Sequence, residues 1–337
     1  MTKPDPLATI ELVSDLHRVR TTPDDAEAAR TVDAAVQTAD AAARTAGVRI
    51  RELTGLAELD AVYQLYDGIW RPDPANPPVT TELLRAMTKA GNYVAGAYDN
   101  EQLVGACVGF FGAPIDETMH SHIAGVAGTA LGRHIGFALK LHQRAWAMLR
   151  GVSTIEWTFD PLVSRNAYFN LGKLGAEAAE YLPNFYGTMN DAINGSDDTD
   201  RVLVEWSLRA PVVIAAAAGS PRRNTAQVAR ERGAVVGLAR SEHGTPVLGT
   251  VDGDTILVAV PTDVESLRSA DPGAAKEWRV AVREVLGTLM TDGARVLGFD
   301  KSGWYVVRRA GHERDVDPTG DSAPSADTRN RNIEETR

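Results

Sequence analysis

Apolar positions along this chain follow a period near 3.6 in some stretches and near 2 in others, and the changes of period mark out its elements. A short strand is predicted over 48–51, followed by a helix that sets Leu59, Val62, Leu65, Tyr66 and Ile69 on one side. Pro72, Pro74, Pro77 and Pro78 break the chain, and a second helix over 80–90 is closed by Gly91, as a left-handed cap requires. Two apolar runs, 93–98 and 103–111, flank the turn Asp99-Asn100-Glu101 and predict an antiparallel hairpin. A strand at 119–126 leads into a Gly-rich stretch, a long helix to about residue 150, and a strand at 154–159. A shorter helix at 166–174 ends at Gly175, and a last strand covers 201–208. This order predicts an α/β domain of the α+β kind over 47–210. Its sheet is mixed and largely antiparallel, with helical crossovers between the later strands.

The flanking segments carry weaker patterns. Residues 1–46 are expected to form a helical or flexible extension. Its helix opens at Thr22-Pro23-Asp24-Asp25, and the thin stripe of Val32, Ala35, Val36 and Ala39 suits an exposed or partner-packed surface. Residues 211–310 read as a smaller α/β unit, with a strand at 255–260, helices at 263–271 and 272–291, and a hairpin from 295–299 to 304–308. Beyond residue 311 Asp, Pro, Ser, Thr, Arg and Glu dominate, so a disordered tail is expected.

The length of 337 residues suits about two domains, and 44% hydrophobic with 24% charged residues is ordinary for a globular protein. A formal net charge of −10 argues against a general nucleic-acid binder, which draws on clustered Lys and Arg. The single cysteine, Cys107, can form no internal disulfide, and no Cys-x-x-Cys spacing points to a metal. Neither a secretory signal nor a long apolar run is visible, so a cytoplasmic protein without a membrane role is expected.

Candidate chemistry gathers where a strand meets the Gly-rich turn and the long helix, because the free N–H groups there can hold phosphate oxygens. The run GVAGTALGRHIGFALK at 125–140 resembles the acyl-CoA motif of the GNAT family, and NAYFNLGKLG at 166–175 resembles that family's later helix. The resemblance implies a GNAT-like core that takes acetyl-CoA or another short acyl-CoA as cosubstrate and uses no metal. It assigns the cofactor to Val126, Leu131, Gly132, Arg133, His134, Ile135, Gly136 and Asn166. Two positions depart from the family pattern: Leu131 stands where Arg or Gln is usual, and His134 stands at the first Gly. A shifted frame on Arg133, Gly136 and Ala138 fits the letters but lengthens the turn. Arg133 and Lys140 can supply replacement charge, although a solvated surface role is the default for each. Further wording, from Glu156-Trp157-Thr158-Phe159-Asp160-Pro161 to Tyr181-Leu182-Pro183-Asn184-Phe185-Tyr186-Gly187, resembles a branch with members linked to N-acylation, succinylation included, of amino acids.

Acyl transfer to an amine needs a neutral amine, donors for the developing oxyanion and a proton for the thiolate, but no enzyme nucleophile. His122 is the first choice for the base, with His120 on the same strand face in reserve; a satisfied half-buried histidine is the competing reading. Glu156 alternates with Ile155 and Trp157 and so faces the other side of the sheet, as a catalytic carboxylate or a plain exposed one. The family's acidic Tyr aligns with Leu171, which leaves Tyr168, and after it Tyr186, to stand in; core packing is the alternative for Tyr168. Cys107 and Trp146 read as core residues, and Arg222, Arg223, Arg230 and Arg232 as a loop cluster. The expected function is transfer of a short acyl group to a small-molecule amine, with a homodimer left open. A catalytically impaired acyl-CoA-binding protein is the alternative.

Overall fold

The computed structural model describes residues 23–72, 77–113, 117–187, 197–222 and 224–310. The expected tail beyond 311, the start of the chain before Pro23, Pro74 and Arg223 lie outside these residues. Helix α1 (Pro23–Ala46) and strand β1 (Arg49–Glu52) are followed by helices α2 (Leu56–Trp70) and α3 (Thr81–Lys89). Strands β2 (Tyr93–Asp99) and β3 (Gln102–Phe111) form the hairpin, with Asn100 in the left-handed conformation at its turn. Strand β4 (Thr118–Val126), helix α4 (Ile135–Met148) and strand β5 (Thr154–Phe159) make a crossover unit. A one-turn helix α5 (Ser164–Ala167), strand β6 (Glu177–Leu182) and strand β7 (Arg201–Ser207) complete this half.

The seven strands lie in the order β1-β2-β3-β4-β5-β7-β6, antiparallel except for β4 and β5. Leu59, Val62 and Tyr66 of α2 cover one face with Leu84 of α3, as their helical spacing predicts. Helices α4 and α1 lie on the other. Helix α1 packs on the main core through Ala35, Ala39 and Ala46, while much of its outer surface is exposed. Small side chains let α1 come close to α4, so a stripe too thin to predict burial is enough to produce it.

The remaining elements are α6 (Pro211–Ala217), α7 (Ala226–Glu231), β8 (Val235–Arg240), β9 (Pro246–Leu248), β10 (Thr255–Ala259), α8 (Val264–Ala270), α9 (Pro272–Val282), α10 (Thr288–Thr291), β11 (Arg295–Asp300) and β12 (Trp304–Arg308). They form a second sheet, β11-β12-β10-β8-β9, in which β8 and β10 are parallel. The two sheets share one apolar core that runs from Leu139 and Trp157 to Trp278, Leu286 and Tyr305. Strands β6, β8 and β9 were not expected. Glu177–Leu182 reads EAAEYL, a pattern with no apolar alternation, and it becomes a strand only by pairing at the edge with β7. The helix expected at 166–174 is a single α-turn that widens into a π-helical turn at Tyr168–Lys173.

Buried charge joins the halves. Asp160, just past β5, accepts from Arg279 at 2.9 Å through both oxygens and from Arg268 at 2.6 Å. Asp197 accepts from the same two arginines at 3.1 and 3.2 Å, and Tyr305 donates to the Pro161 carbonyl at 2.8 Å. Burial alone raises the Asp160 carboxyl, but Arg279, with Arg268 and Arg201, carries it well below the usual carboxylate range. The stability this contributes is present above the ordinary Asp range and is lost as pH falls toward the folded-state value. Asp160→Asn keeps the shape but takes away one of the two carboxylates that balance the buried Arg268 and Arg279, so it should cost about 3–5 kcal/mol at neutral pH. Urea denaturation measures this, and the gap to wild type should narrow as the pH is lowered.

Candidate active site

Strands β4 and β5 pair only at Thr118 with Thr154, Met119 with Ile155 and His120 with Glu156. Beyond that rung they part, although β4 continues to Val126 and β5 to Phe159. The cause lies in β4. Ile123 pairs with Val108 and Ser121 with Gly109, so His122 is an extra residue that bulges the strand and bends it away. Gly109 makes this approach possible, since a Cβ there would stand 2.8 Å from the His120 carbonyl oxygen.

The open edge of β4 leads to the Gly-rich turn. Ala127 N–H bonds Val104 O at 2.9 Å, a short 3₁₀ turn covers Gly128–Ala130, and Gly132 has φ +81°. His134 sits in the left-handed region at φ 64°, a conformation that costs a non-Gly residue energy. The first bond inside α4 runs from Ala138 N–H to His134 O at 3.1 Å, so the N–H groups of Ile135, Gly136 and Phe137 lie ahead of it. A Cβ on Gly136 would touch only Val126, at 3.8 Å, which leaves its outer side open. Leu131 is exposed. Arg133 is partly exposed but paired: Asp99 accepts from it at 2.6 Å and the carbonyls of Ala46 and Gly47 accept at 3.4 and 3.3 Å. It ties the turn to the β2–β3 hairpin and to the end of α1, leaving backbone N–H groups as the donors that face the opening.

On the sheet face away from α4, the rings of Phe110 and His120 lie 5.0 Å apart and those of Phe110 and His122 5.8 Å apart. His122 is exposed and His120 half-buried. Burial, with His122 and Lys140 nearby, pushes His120 down to about 4, so it is neutral at physiological pH. Glu156 lies opposite His120 on one side and Glu205 on the other, and Glu177 follows Glu205. Burial raises the Glu156 carboxyl and the Glu205 charge adds to the rise. Tyr186 shares a 3.2 Å hydrogen bond with Thr158 on the freed part of β5.

The other sequence candidates fall elsewhere. Asn166 is exposed on α5. Tyr168 lines a cavity of about 260 Å³ against the second sheet, with Arg222, Asn224 and Lys301, so it is not brought together with His120, His122 and Glu156. Cys107 is fully buried and burial raises its thiol, as a structural cysteine requires. Trp146 packs on Tyr93 and Phe111, and Arg230 lies over the Trp304 ring. Among the described residues no cluster suited to a metal ion occurs, and no helix is long and apolar enough to cross a membrane.

One group escaped the sequence. Lys140 is 4% exposed and sits beneath the opening, where its Nζ donates to Ser121 Oγ at 2.7 Å and Gln143 Oε1 at 3.1 Å. The same Nζ lies 3.7 Å from the centre of the Trp157 ring. A surface lysine was expected, but α4 is covered by the sheet on one side and by α1 on the other, so most of its positions are interior and no polar face marks Lys140 out. The only local sign is its setting between Leu139 and Leu141.

No family model matches the sequence, and no curated protein does. Solved structures similar to it include a putative acetyltransferase of the GNAT family from Desulfovibrio desulfuricans, 15% identical, matched over 48% of this chain and 99% of that one at a TM-score of 0.40. Another is a putative acetyltransferase from Salmonella typhimurium with its cofactor acetyl-CoA, 17% identical over 49% of this chain and 98% of that one, with a TM-score of 0.38. The aminoglycoside 6'-N-acetyltransferase from Enterococcus faecium is 18% identical over 48% of this chain and 98% of that one, with a TM-score of 0.37. Its own strand pairing and element order make the fold mixed α/β, and GNAT acetyltransferases are among the structures that about half its length is similar to.

Burial lowers the Lys140 amine from 10.5 to about 8. Between those values the unfolded chain holds more protons than the folded one, so this group makes stability rise with pH there. Lys140→Met removes this pH dependence. Compared by urea denaturation at several pH values, wild type should gain on the variant as pH rises from about 8 to about 10, whereas a constant difference would contradict burial as the cause.

Proposed function

We propose that this protein is an N-acyltransferase that moves an acetyl or other short acyl group, succinyl among the candidates, from acyl-CoA directly to the primary amine of an amino acid or related small metabolite. The observation that carries this reading is the parting of β4 from β5 in line with the free N–H groups at the start of α4. An extended arm with amide groups can pair with the open edge of β4 while its pyrophosphate rests at the helix start. Val126, Leu131, Gly132, His134, Ile135 and Gly136 then line the cofactor, with Arg133 bracing the turn through Asp99. Asn166 stands at the exposed start of α5.

On the acceptor side, His122 is the base, with Glu156 and Glu205 drawing in a cationic amine. Like charges face each other across β5 and β7 at a cost to the sheet, and a positively charged acceptor offsets it. The burial of Cys107 supports direct transfer without an acyl-enzyme. A second reading, acyl-CoA binding without turnover, is favoured by the buried Leu171 and by the position of Tyr168 in a separate cavity. Release of CoA thiol from acyl-CoA in the presence of an amine panel distinguishes the two.

Gly136→Asp should fold, because the added side chain has room, yet it sets a carboxylate among the phosphates. CoA affinity by titration calorimetry should fall at least about tenfold, and unchanged affinity would move the site elsewhere. His122→Ala should lower kcat by about 10²-fold with acyl-CoA affinity little changed, while Cys107→Ala should keep kcat and lose only packing stability. A thiol-release assay across pH checks both variants. An unaltered rate for His122→Ala would shift the base to Glu156 or an ordered water.

A further inference from the structure

Lys140 has no role in the mechanism described so far. Among the described residues it enters no ion pair; it contacts a hydroxyl, an amide oxygen and an indole face, and the Cys107 thiol and the His120 ring are the titratable groups near it. Ser121 and Trp157 are the first residues past the last β4–β5 rung, one on each strand, so the ammonium spans the vertex at which the strands begin to part. Gln143, fully buried beside it, has an Nε2 donor without any hydrogen-bond acceptor. A methionine would fill similar volume without taking a charge out of water, so packing alone gives no reason for a lysine here. Buried, uncompensated polar groups of this kind gather where a site needs charge in place before its ligand arrives.

We propose that Lys140 is the cation against which the sulfur of acyl-CoA leaves. The inference rests on the acyl-CoA reading above. A cofactor arm that runs along the open edge of β4 from Val126 toward Ser121 delivers its thioester to the vertex, where the Lys140 ammonium meets it. The acceptor amine, neutral once its extra proton has passed to solvent, forms a bond from nitrogen to the thioester carbon and gives up one proton to His122, which releases it to solvent. The C–S bond breaks with its electron pair on sulfur, and the thiolate stays paired with the ammonium until CoA departs and takes a proton from water. Lys140 itself loses no proton in the cycle. The later helix offers no substitute, because Leu171 is buried and Tyr168 lines the cavity beside Gly298 and Lys301. A fixed positive charge in a dry cleft stabilises an anion far more than the same charge in water.

The test uses CoA itself and needs no acceptor. The thiol of bound CoA is titrated by the ultraviolet absorbance of its thiolate in complexes with wild type and with Lys140→Met. It should ionise about one pH unit lower in the wild-type complex, a tenfold difference, while the affinity for protonated CoA is alike in both. Lys140→Gln, which keeps a polar side chain without the charge, provides the same comparison if the methionine variant does not fold, and it should behave as the methionine variant does. Equal ionisation in the wild-type and variant complexes would overturn the role of Lys140 and leave the acyl-CoA reading standing. Failure of wild type to bind CoA at all would overturn that reading, and this proposal with it.

Discussion

Everything at the candidate site follows from a ladder that stops after three rungs. Parallel neighbours normally satisfy one another's backbone groups along their full length, so strands that part expose N–H and C=O groups in the middle of a sheet. Here the parting is built in by the extra residue His122 and by the missing side chain at Gly109, which together bend β4 while its bonds to β3 are kept. The opening points at the start of α4, where further donors are free. A groove lined by unsatisfied amides on one side and a helix start on the other suits an extended, amide-bearing, phosphorylated ligand better than it suits a compact apolar one.

The second sheet is part of this arrangement rather than an appendage. Asp160 follows directly on β5 and is clamped by arginines from α8 and α9. Tyr305 of β12 holds the next carbonyl, and Arg165 of α5 pairs with Glu265 of α8. The far end of β5 therefore cannot swing back toward β4 without breaking buried ion pairs, which are costly to leave half-made. In this way a unit distant from the Gly-rich turn helps keep the strands apart. Opposite it, Arg133 and Asp99 fix the turn to the first hairpin, so each wall of the opening has its own charged brace.

Local physics accounts for what was legible in the sequence. Thr80 caps α3 by accepting from Leu83 N–H, Gly91 ends that helix with positive φ, and Asn100 turns the β2–β3 hairpin, each through contacts within a few residues. The spacing of Leu59, Val62 and Tyr66 and the alternation of Ile155, Glu156 and Trp157 set which faces are buried. The Gly-rich turn between a strand and a helix could be located for the same reason, as could the burial of Cys107 within an apolar run. Only the tertiary structure decided the rest. β6 is a strand because β7 offers it an edge, and Ala35, Ala39 and Ala46 of α1 are buried because the helix packs on α4. Asp160 meets Arg279 across 119 residues and Arg133 meets Asp99 across 34, separations at which no local pattern reports a contact. Lys140 and Tyr168 show the limit most clearly: the first, read as a replacement charge or a surface lysine, lies at the vertex of the opening, and the second, read as a stand-in acid or a packed aromatic, lines a separate cavity. A side chain's chemistry can be read from the sequence, but its surroundings are set by elements that arrive from elsewhere in the chain.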